Sequence, residues 1–282
     1  GVQGDMMRIA QRSVRKYKLA PSYANIDENA LLERCNKFVN TSNNTVTSDR
    51  NQRVMYFAGC MTSLTPSISK STAAILQKAG IRFEIMDKDG GICCGRPMLM
   101  AGRIAQAKEM IEKNTAIIKA SGADTLLLSC PICYKIFKEQ YQLEGIEVIH
   151  HTEFFDRLIE SGKITLNGSD TRYVYHDPCE LGRGCGIYEQ PRNVVRKAGE
   201  LVEAEKHGKE SICCGGSLGS LTLGFDKRKA LTENALANLT IASPDTIVTA
   251  CPLCRSTFNR YSDIPVKDIA EIVDEATRKK KR

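Results

Sequence analysis

Ten of the twelve cysteines in the chain repeat one spacing twice, and thiols in such a pattern are candidate metal ligands. Each copy contains a single cysteine, an adjacent pair followed by glycine, and a Cys-Pro-x-Cys unit. The gaps between these parts are 32 and 35 residues in the first copy and 33 and 36 residues in the second. The first set is Cys60, Cys93, Cys94, Cys130 and Cys133, and the second set is Cys179, Cys213, Cys214, Cys251 and Cys254. The repeated spacing predicts one complete ligand set for a metal centre in each copy.

Five thiols in each set favour an iron–sulfur centre over a structural zinc ion, which takes four ligands, usually as two close pairs. Adjacent cysteines cannot easily present both sulfurs to one metal ion at tetrahedral angles, whereas they can bind two metal atoms of a larger cluster. Gly95 and Gly215 follow the adjacent pairs, where they allow close backbone approach, and their N–H groups are candidates for binding cluster sulfur. Zinc and a disulfide relay are the alternatives that the pattern leaves open.

The length and composition describe an ordinary globular chain. At 282 residues it is long enough for about two domains of roughly 150 residues, with cores that need no disulfides. No secretion signal and no apolar run of about 18 residues are visible. We therefore expect cysteines that act as metal ligands or redox groups in a cytoplasmic protein, with peripheral contact at the inner face of a membrane as an option. The chain starts at Gly1, which is consistent with an excised piece.

The net charge of +7 is modest for this length, and much of it lies at the two ends of the chain. The basic run at residues 278–282 can bind an anionic membrane surface or nucleic acid, or can be a solvated tail. No nucleic-acid-binding motif accompanies it, so nucleic acid is not an expected partner.

From residue 53 onward, short apolar runs alternate with longer runs of helical period, and this order repeats after about 120 residues. Such alternation predicts an α/β fold of two pseudo-symmetric open parallel-sheet domains with helices on both faces, plus a short helical N-terminal segment. The domains are expected at residues 51–168 and 169–276, between an N-terminal segment and linker at 1–50 and a basic tail at 277–282. Strands are predicted at 54–58, 81–86, 125–128, 146–149, 173–175 and 246–249, and helices at 68–79, 103–120, 132–143, 152–159, 194–198, 226–239 and 268–276.

These elements explain how distant cysteines can meet. Cys60, Cys130, Cys179 and Cys251 each follow a predicted strand, and open α/β sheets bind ligands at the carboxyl ends of their strands. The Cys-Pro-x-Cys units are expected to begin helices, because proline is favoured at the first helical position. The positive end of the helix dipole at this point stabilises thiolates and an anionic cluster.

With all ten cysteines in place, residues 53–273 resemble two tandem CCG domains, the cysteine-rich repeat found in the B subunit of heterodisulfide reductase. The same repeat occurs in iron–sulfur subunits of glycolate oxidase, of lactate-utilisation enzymes and of anaerobic glycerol-3-phosphate dehydrogenase. The resemblance implies two four-iron clusters, of cubane or non-cubane type, bound by the ten cysteines. It also implies partners: a flavoprotein dehydrogenase, a ferredoxin-type iron–sulfur module, and a quinone or disulfide acceptor. The chain contains no ferredoxin motif and no FAD- or NAD-binding glycine fingerprint, although residues 4–20 resemble the tail that follows a ferredoxin module.

Further residues are candidates for smaller roles. His176 lies in a His-Asp-Pro-Cys stretch that is typical of the second domain, and it is a candidate to donate to a cluster sulfur or to pass a proton. Cys185 is a second candidate for catalysis, or a spare thiol beside the centre. His150 and His151, with Glu153, are expected to cap a helix. Arg96 and Arg183 are expected beside the cluster cysteines or at the surface. Cys35 and His207 have no assigned role.

The expected function is that of an iron–sulfur electron-transfer component of an oxidoreductase. It would relay electrons from a flavin-dependent 2-hydroxyacid (glycolate or lactate) or glycerol-3-phosphate dehydrogenase towards a quinone. The alternative is a heterodisulfide reductase-type component that reduces a disulfide between two clusters, since paired clusters supply the two electrons required. A zinc-stabilised adaptor is the non-enzymatic interpretation.

Overall fold

The computed structural model describes residues 52–62, 65–86 and 92–278. The N-terminal segment, with its expected helices and Cys35, lies outside these residues, as do residues 279–282 of the basic tail.

Two parallel four-stranded sheets, one in each half of the chain, form the framework. The strand orders are β2-β1-β3-β4 and β6-β5-β7-β8, so the two halves have the same topology. The strands are β1 (Arg53–Phe57), β2 (Arg82–Ile85), β3 (Thr125–Leu128), β4 (Glu147–His150), β5 (Arg172–His176), β6 (Glu200–Val202), β7 (Thr246–Thr249) and β8 (Val266–Asp268). The α/β class and the pseudo-symmetric parallel sheets that the sequence predicts are confirmed.

Helices connect the strands, as parallel pairing requires. They are α1 (Pro66–Lys78), α2 (Arg96–Met100), α3 (Ile104–Ala120), α4 (Pro131–Gln140), α5 (His151–Glu160), α6 (Gly182–Cys185), α7 (Glu189–Ala198), α8 (Phe225–Thr240), α9 (Pro252–Phe258) and α10 (Ile269–Ala276). Short 3₁₀ helices occur at Gly208–Glu210 and Leu218–Thr222.

In the described part of the chain one hydrophobic core spans both halves, and a smaller one lies within the second half. The central strands β1 and β3 are buried almost completely, because parallel strands are covered on both faces. The last helix, α10, comes from the second half but packs against α1 of the first, and α5 packs against α7. Lys78 of α1 pairs with Asp274 of α10 at 2.8 Å, and the amide of Asn193 donates to Asp156 at 3.2 Å. These contacts hold the sheets together so that their strand ends can meet.

Several elements differ from the sequence-based expectation. Strands β6 and β8 were not predicted, because each is only three residues long and forms the edge of its sheet. Helix α7 begins at Glu189 rather than at residue 194, helix α4 ends at Gln140 rather than at residue 143, and the short helices α2 and α6 were not predicted.

Candidate metal centre

The four strand ends that precede cysteines lie at the centres of the two sheets. Strands β1 and β3 are adjacent and end at Phe57 and Leu128, and β5 and β7 are adjacent and end at His176 and Thr249. Each strand is followed within a few residues by the first or fourth cysteine of its set. The carboxyl edges of the two central strand pairs therefore carry the cysteine sets, as the spacing predicts.

Cys130 and Cys251 also cap helices. Each is the N-cap residue of its helix, α4 or α9, with Pro131 or Pro252 at the first helical position. The extended backbone of the cap turns the chain from the strand into the helix, and the next cysteine of each unit lies in the first helical turn. The Cys-Pro-x-Cys units thus begin helices, as predicted.

Within each half, every thiol lies close enough to the next to shift its pKa, and these neighbour pairs join all five cysteines into one continuous row. In the first set, the row runs Cys60, Cys93, Cys94, Cys133, Cys130. In the second set, it runs Cys179, Cys213, Cys214, Cys254, Cys251. The two rows follow the same order, so the structure assembles the same five-thiol group twice.

The two rows meet at one point. The thiols of Cys130 and Cys251, the last members of their rows, lie close enough across the boundary between the halves to shift each other's pKa, which is lowered at Cys130 and raised at Cys251. Both residues are at most 4% exposed. The ten thiols therefore form one connected series, in which the two rows are joined at Cys130 and Cys251.

Each adjacent cysteine pair contains one thiol that ionises readily and one that does not. Hydrogen bonds from Cys133 and Cys93 lower the pKa of Cys94 to about 5. The hydrogen bond from Cys60 lowers the pKa of Cys93, but the bond to Cys94 and burial raise it to about 12. In the second pair, hydrogen bonds from Cys179 and Cys214 lower the pKa of Cys213 to about 2. A stabilised thiolate is thus present in each set, and the thiolate is the form that binds metal.

The glycines after the pairs adopt a backbone that favours glycine, with φ of 93° at Gly95 and 77° at Gly215. The N–H of Gly95 donates to the sulfur of Cys93 at 3.4 Å, and the N–H of Gly215 donates to Cys213. A Cβ atom at Gly215 would lie 3.0 Å from Thr232 Oγ1 and 3.2 Å from the carbonyl oxygen of Arg228. Both glycines therefore bring a backbone donor to a candidate ligand sulfur.

Of the two catalytic candidates, only His176 lies within a cysteine set. An imidazole nitrogen of His176 and the sulfurs of Cys214 and Cys254 all lie within 4.8 Å of one another. Burial lowers the pKa of His176 to about 4, so the ring is neutral at pH 7. Cys185 lies at the end of α6, outside the thiol rows, and burial raises the pKa of its thiol to about 11.

A buried ion pair that the sequence does not reveal fixes the loop after β5. Asp177 is 3% exposed and accepts two hydrogen bonds from the guanidinium of Arg192, at 2.7 and 2.8 Å. Arg192 also contacts Glu203 at 2.8 Å, and the N–H of Gly208 donates to Asp177 at 2.7 Å. The pair ties the loop that carries Cys179 to the segment that leads to the adjacent cysteines of the second set.

The histidine pair lies between the two halves. His150 caps α5, since its Nδ1 accepts from the N–H of Thr152 and Glu153 accepts from the N–H of His150. The capping role expected for His150 and Glu153 is thus seen in the structure. His151 Nε2 lies 3.6 Å from a carboxylate oxygen of Asp268 on the second sheet, and both side chains are fully buried.

The other candidates lie at the margins of the site. Arg96 pairs with Glu180 at 3.4 Å, which links the first cysteine set to the second. Arg183 donates to the carbonyl oxygens of Lys209 and Ser211. His207 is exposed, with Nδ1 2.8 Å from the carbonyl oxygen of Ala204.

These residues fit an iron–sulfur centre better than a single ion. Each set offers five thiols in one row, a backbone N–H on a sulfur, and surroundings from which most solvent is excluded. A zinc ion would leave at least one thiol of each set unused. None of the helices in the described part of the chain is both long enough and apolar enough to cross a membrane.

Comparisons with curated proteins agree with this chemistry. The D subunit of dihydromethanophenazine:CoB–CoM heterodisulfide reductase from Methanosarcina acetivorans is 31% identical over 241 residues, covering 79% of this chain and 58% of the relative. The B subunit of fumarate reductase (CoM/CoB) from Methanothermobacter marburgensis is 28% identical over 235 residues, covering 79% and 46%. EtfAB:quinone oxidoreductase of Syntrophomonas wolfei is 29% identical over 214 residues, covering 71% and 30%. The chain thus spans about half the length, or less, of these relatives.

A model of a protein family matches the chain in two places. The cysteine-rich domain called CCG matches residues 54–138 and again residues 173–259. The two matches fall on the two sheets and contain all ten cysteines of the two rows. Further relatives of the chain are described as iron–sulfur proteins. The chain belongs to the CCG cysteine-rich domain family, with one copy of the domain in each half.

Proposed function

We propose that this chain is the iron–sulfur electron-transfer part of a larger oxidoreductase. The observation that supports this most strongly is the connected series of ten thiols, in which two five-thiol rows meet at Cys130 and Cys251. In this proposal each row holds one cluster of four-iron type, cubane or non-cubane, and all ten cysteines are ligands. When bound, the clusters would supply one-electron transfer.

The residues of the chain would set the properties of these clusters. Burial of Cys94, Cys130, Cys133, Cys214, Cys251 and Cys254 keeps water away from the sulfurs. The N–H groups of Gly95 and Gly215 donate to thiol sulfurs and would stabilise added negative charge. Burial, charge and hydrogen bonds to sulfur are the means by which proteins tune cluster potentials, which span roughly −700 to +450 mV.

The electron donor in this proposal is a flavoprotein, as in a flavin-dependent 2-hydroxyacid or glycerol-3-phosphate dehydrogenase, with a ferredoxin-type module as an intermediate carrier. The acceptor is a quinone, which the name of the relative from Syntrophomonas wolfei supports. That relative is much longer than this chain, so the flavin and quinone sites are assigned to partner domains or subunits. Free thiols require a reducing compartment, so we propose a cytoplasmic location with at most peripheral contact to a membrane.

A second candidate function is disulfide reduction, in which two clusters act together on one disulfide. The contact between Cys130 and Cys251 favours it, because it places the two rows on either side of a shared point. The similarity to the D subunit of a heterodisulfide reductase favours it as well. Cleavage of a disulfide takes two electrons, and one from each cluster would satisfy this requirement.

An EPR-monitored reaction separates the two functions. The chain is reconstituted anaerobically with iron and sulfide, reduced with dithionite, and mixed with a panel of disulfides or with a quinone analogue. A relay exchanges electrons with the quinone or with a partner flavoprotein and leaves disulfides unreacted. A disulfide reductase is reoxidised by a disulfide and shows a substrate-dependent paramagnetic signal. A colourless protein that binds zinc and no iron would contradict both functions.

A further inference from the structure

His176 occupies in the second half the position that Phe57 occupies in the first. Phe57 ends β1 and is in register with Leu128 at the end of β3. His176 ends β5 and is in register with Thr249 at the end of β7. In each half the residue is the last one of the strand that precedes the first cysteine of the set. The two side chains therefore enter their cysteine sets from equivalent points.

The packing of the two rings is also equivalent. The ring of Phe57 contacts Phe137 edge-on, with centroids 4.9 Å apart and planes inclined by 70°. The ring of His176 contacts Phe258 in the same manner, at 4.7 Å and 87°. Phe137 and Phe258 each lie four residues after the second cysteine of a Cys-Pro-x-Cys unit. One half thus has an imidazole where the other has a phenyl ring.

The buried imidazole of His176 has a nitrogen that no described residue of the chain satisfies by a hydrogen bond, and that a metal group could satisfy. His176 is 2% exposed, and its Nε2 atom has no hydrogen-bond partner among the residues that the structure describes. Buried polar atoms are normally paired, so each exception calls for an explanation. The sulfurs of Cys214 and Cys254, in the second row, lie within 4.8 Å of one of the two ring nitrogens of His176. A nitrogen, two thiols and a buried position are the features of a histidine ligand in a metal site.

We propose that His176 is a nitrogen ligand of the cluster in the second cysteine set, whereas the first cluster is bound by thiols alone. The inference rests on the proposed function, since it requires an iron–sulfur cluster in the second set. Histidine ligation raises the potential of an iron–sulfur cluster, as in Rieske centres, where two histidines replace two cysteines on one iron. The two clusters then differ in their ligands, and we expect them to differ in potential.

Pulsed EPR tests this ligation directly. Chain labelled with ¹⁵N-histidine is reconstituted anaerobically, and the nitrogen coupling to the second cluster is measured without any acceptor present. We expect a coupling of the strength of a directly bound nitrogen, lost in His176→Phe, whose new ring reproduces the environment of Phe57. The potential of the second cluster should change in this variant, while that of the first stays unchanged. His207→Gln, at an exposed position, should change neither quantity.

A second variant covers the case in which His176→Phe fails to hold its cluster. His176→Cys supplies a thiolate in place of the nitrogen, so it should retain the cluster, lose the nitrogen coupling and lower the potential. A fully loaded wild-type chain without a strong nitrogen coupling would contradict ligation by His176, and so would a coupling that persists in His176→Phe. Neither result would contradict the proposed electron-transfer function. A chain whose second set binds no iron overturns both proposals, and the iron content of the sample identifies that outcome.

Discussion

The thiols of Cys130 and Cys251 lie close enough to shift each other's pKa, although they belong to different halves of the chain. Each caps a helix that follows a central strand, so the contact brings together the carboxyl ends of two separate sheets. The helices α1 and α10, and α5 and α7, hold the halves in this position. Two clusters bound by the two rows would therefore be direct neighbours, with no intervening carrier between them.

The two rows predict two metal centres that can be lost one at a time. Cys94→Ser should remove the first cluster and Cys214→Ser the second, because each residue lies in the middle of its own row. Each variant should bind about half of the iron of the wild-type chain, measured by iron content and visible absorption after anaerobic reconstitution.

Cys185→Ser is the matched control for these variants, since Cys185 lies outside both rows, and it should retain all of the iron. If either Cys94→Ser or Cys214→Ser lost both clusters equally, the idea of two independent sites would be wrong.

The Asp177–Arg192 pair predicts a loss of stability that is centred on the second half. Arg192→Leu leaves the carboxylate of Asp177 buried without its partner, which typically costs about 3–5 kcal/mol. We expect a lower free energy of unfolding in urea and weaker iron binding by the second set, with the first set unaffected. Arg196→Leu, at an exposed position of the same helix, should change the stability by less than about 0.5 kcal/mol. Equal effects of the two variants would contradict a positioning role for Arg192.

The two glycines predict unequal effects of the same substitution. Gly95→Ala meets no atom closer than 3.9 Å, so its main cost is the positive φ, about 1–2 kcal/mol. Gly215→Ala has the same backbone cost and in addition places its Cβ 3.0 Å from Thr232 Oγ1. Urea unfolding and iron content should therefore show the larger loss for Gly215→Ala. A larger effect of Gly95→Ala would show that the space around Gly215 does not limit the site.

Burial of His150 predicts a stability that falls in mild acid. Burial lowers the pKa of His150 to about 3, whereas an unfolded histidine titrates near pH 6.5. Between these values the unfolded chain binds a proton that the folded chain does not, so stability falls as the pH drops through 6.5 towards 3. From pH 7.5 to 5.5 this residue should remove about 1.4 kcal/mol.

His150→Asn isolates this contribution, because asparagine keeps an N-cap acceptor and does not titrate. The loss of unfolding free energy between pH 7.5 and 5.5 should be smaller in the variant by about 1.4 kcal/mol, the contribution of one histidine protonation. Identical pH profiles for the two proteins would show that His150 is protonated or exposed in the folded state.

The sheets and the cysteine positions could be predicted because their signals are local. Buried strands appear as apolar runs, such as Thr125–Leu128, and proline after Cys130 and Cys251 marks the first turn of a helix. The short edge strand Val266–Asp268 carries no such pattern. The strand ends at Asp268, which forms a capping box with Glu271 at the start of α10.

The contacts that complete the site could not be read from the sequence. Asp177 and Arg192 lie on different elements, and no local pattern indicates that two charged residues at such positions will pair inside the protein. The orientation of His176 towards Cys214 and Cys254 depends on how β5 packs against α9. The contact between Cys130 and Cys251 depends on the packing of one half on the other, which the repeat alone does not specify.

The most direct test of two neighbouring clusters is the EPR spectrum of the fully reduced, anaerobically reconstituted chain. Because the two rows meet at Cys130 and Cys251, the wild-type spectrum should show spin–spin coupling between two paramagnetic centres. Cys94→Ser and Cys214→Ser should each show one uncoupled signal. A wild-type spectrum equal to the sum of the two variant spectra, with no coupling, would contradict the account, because the clusters would then lie far apart.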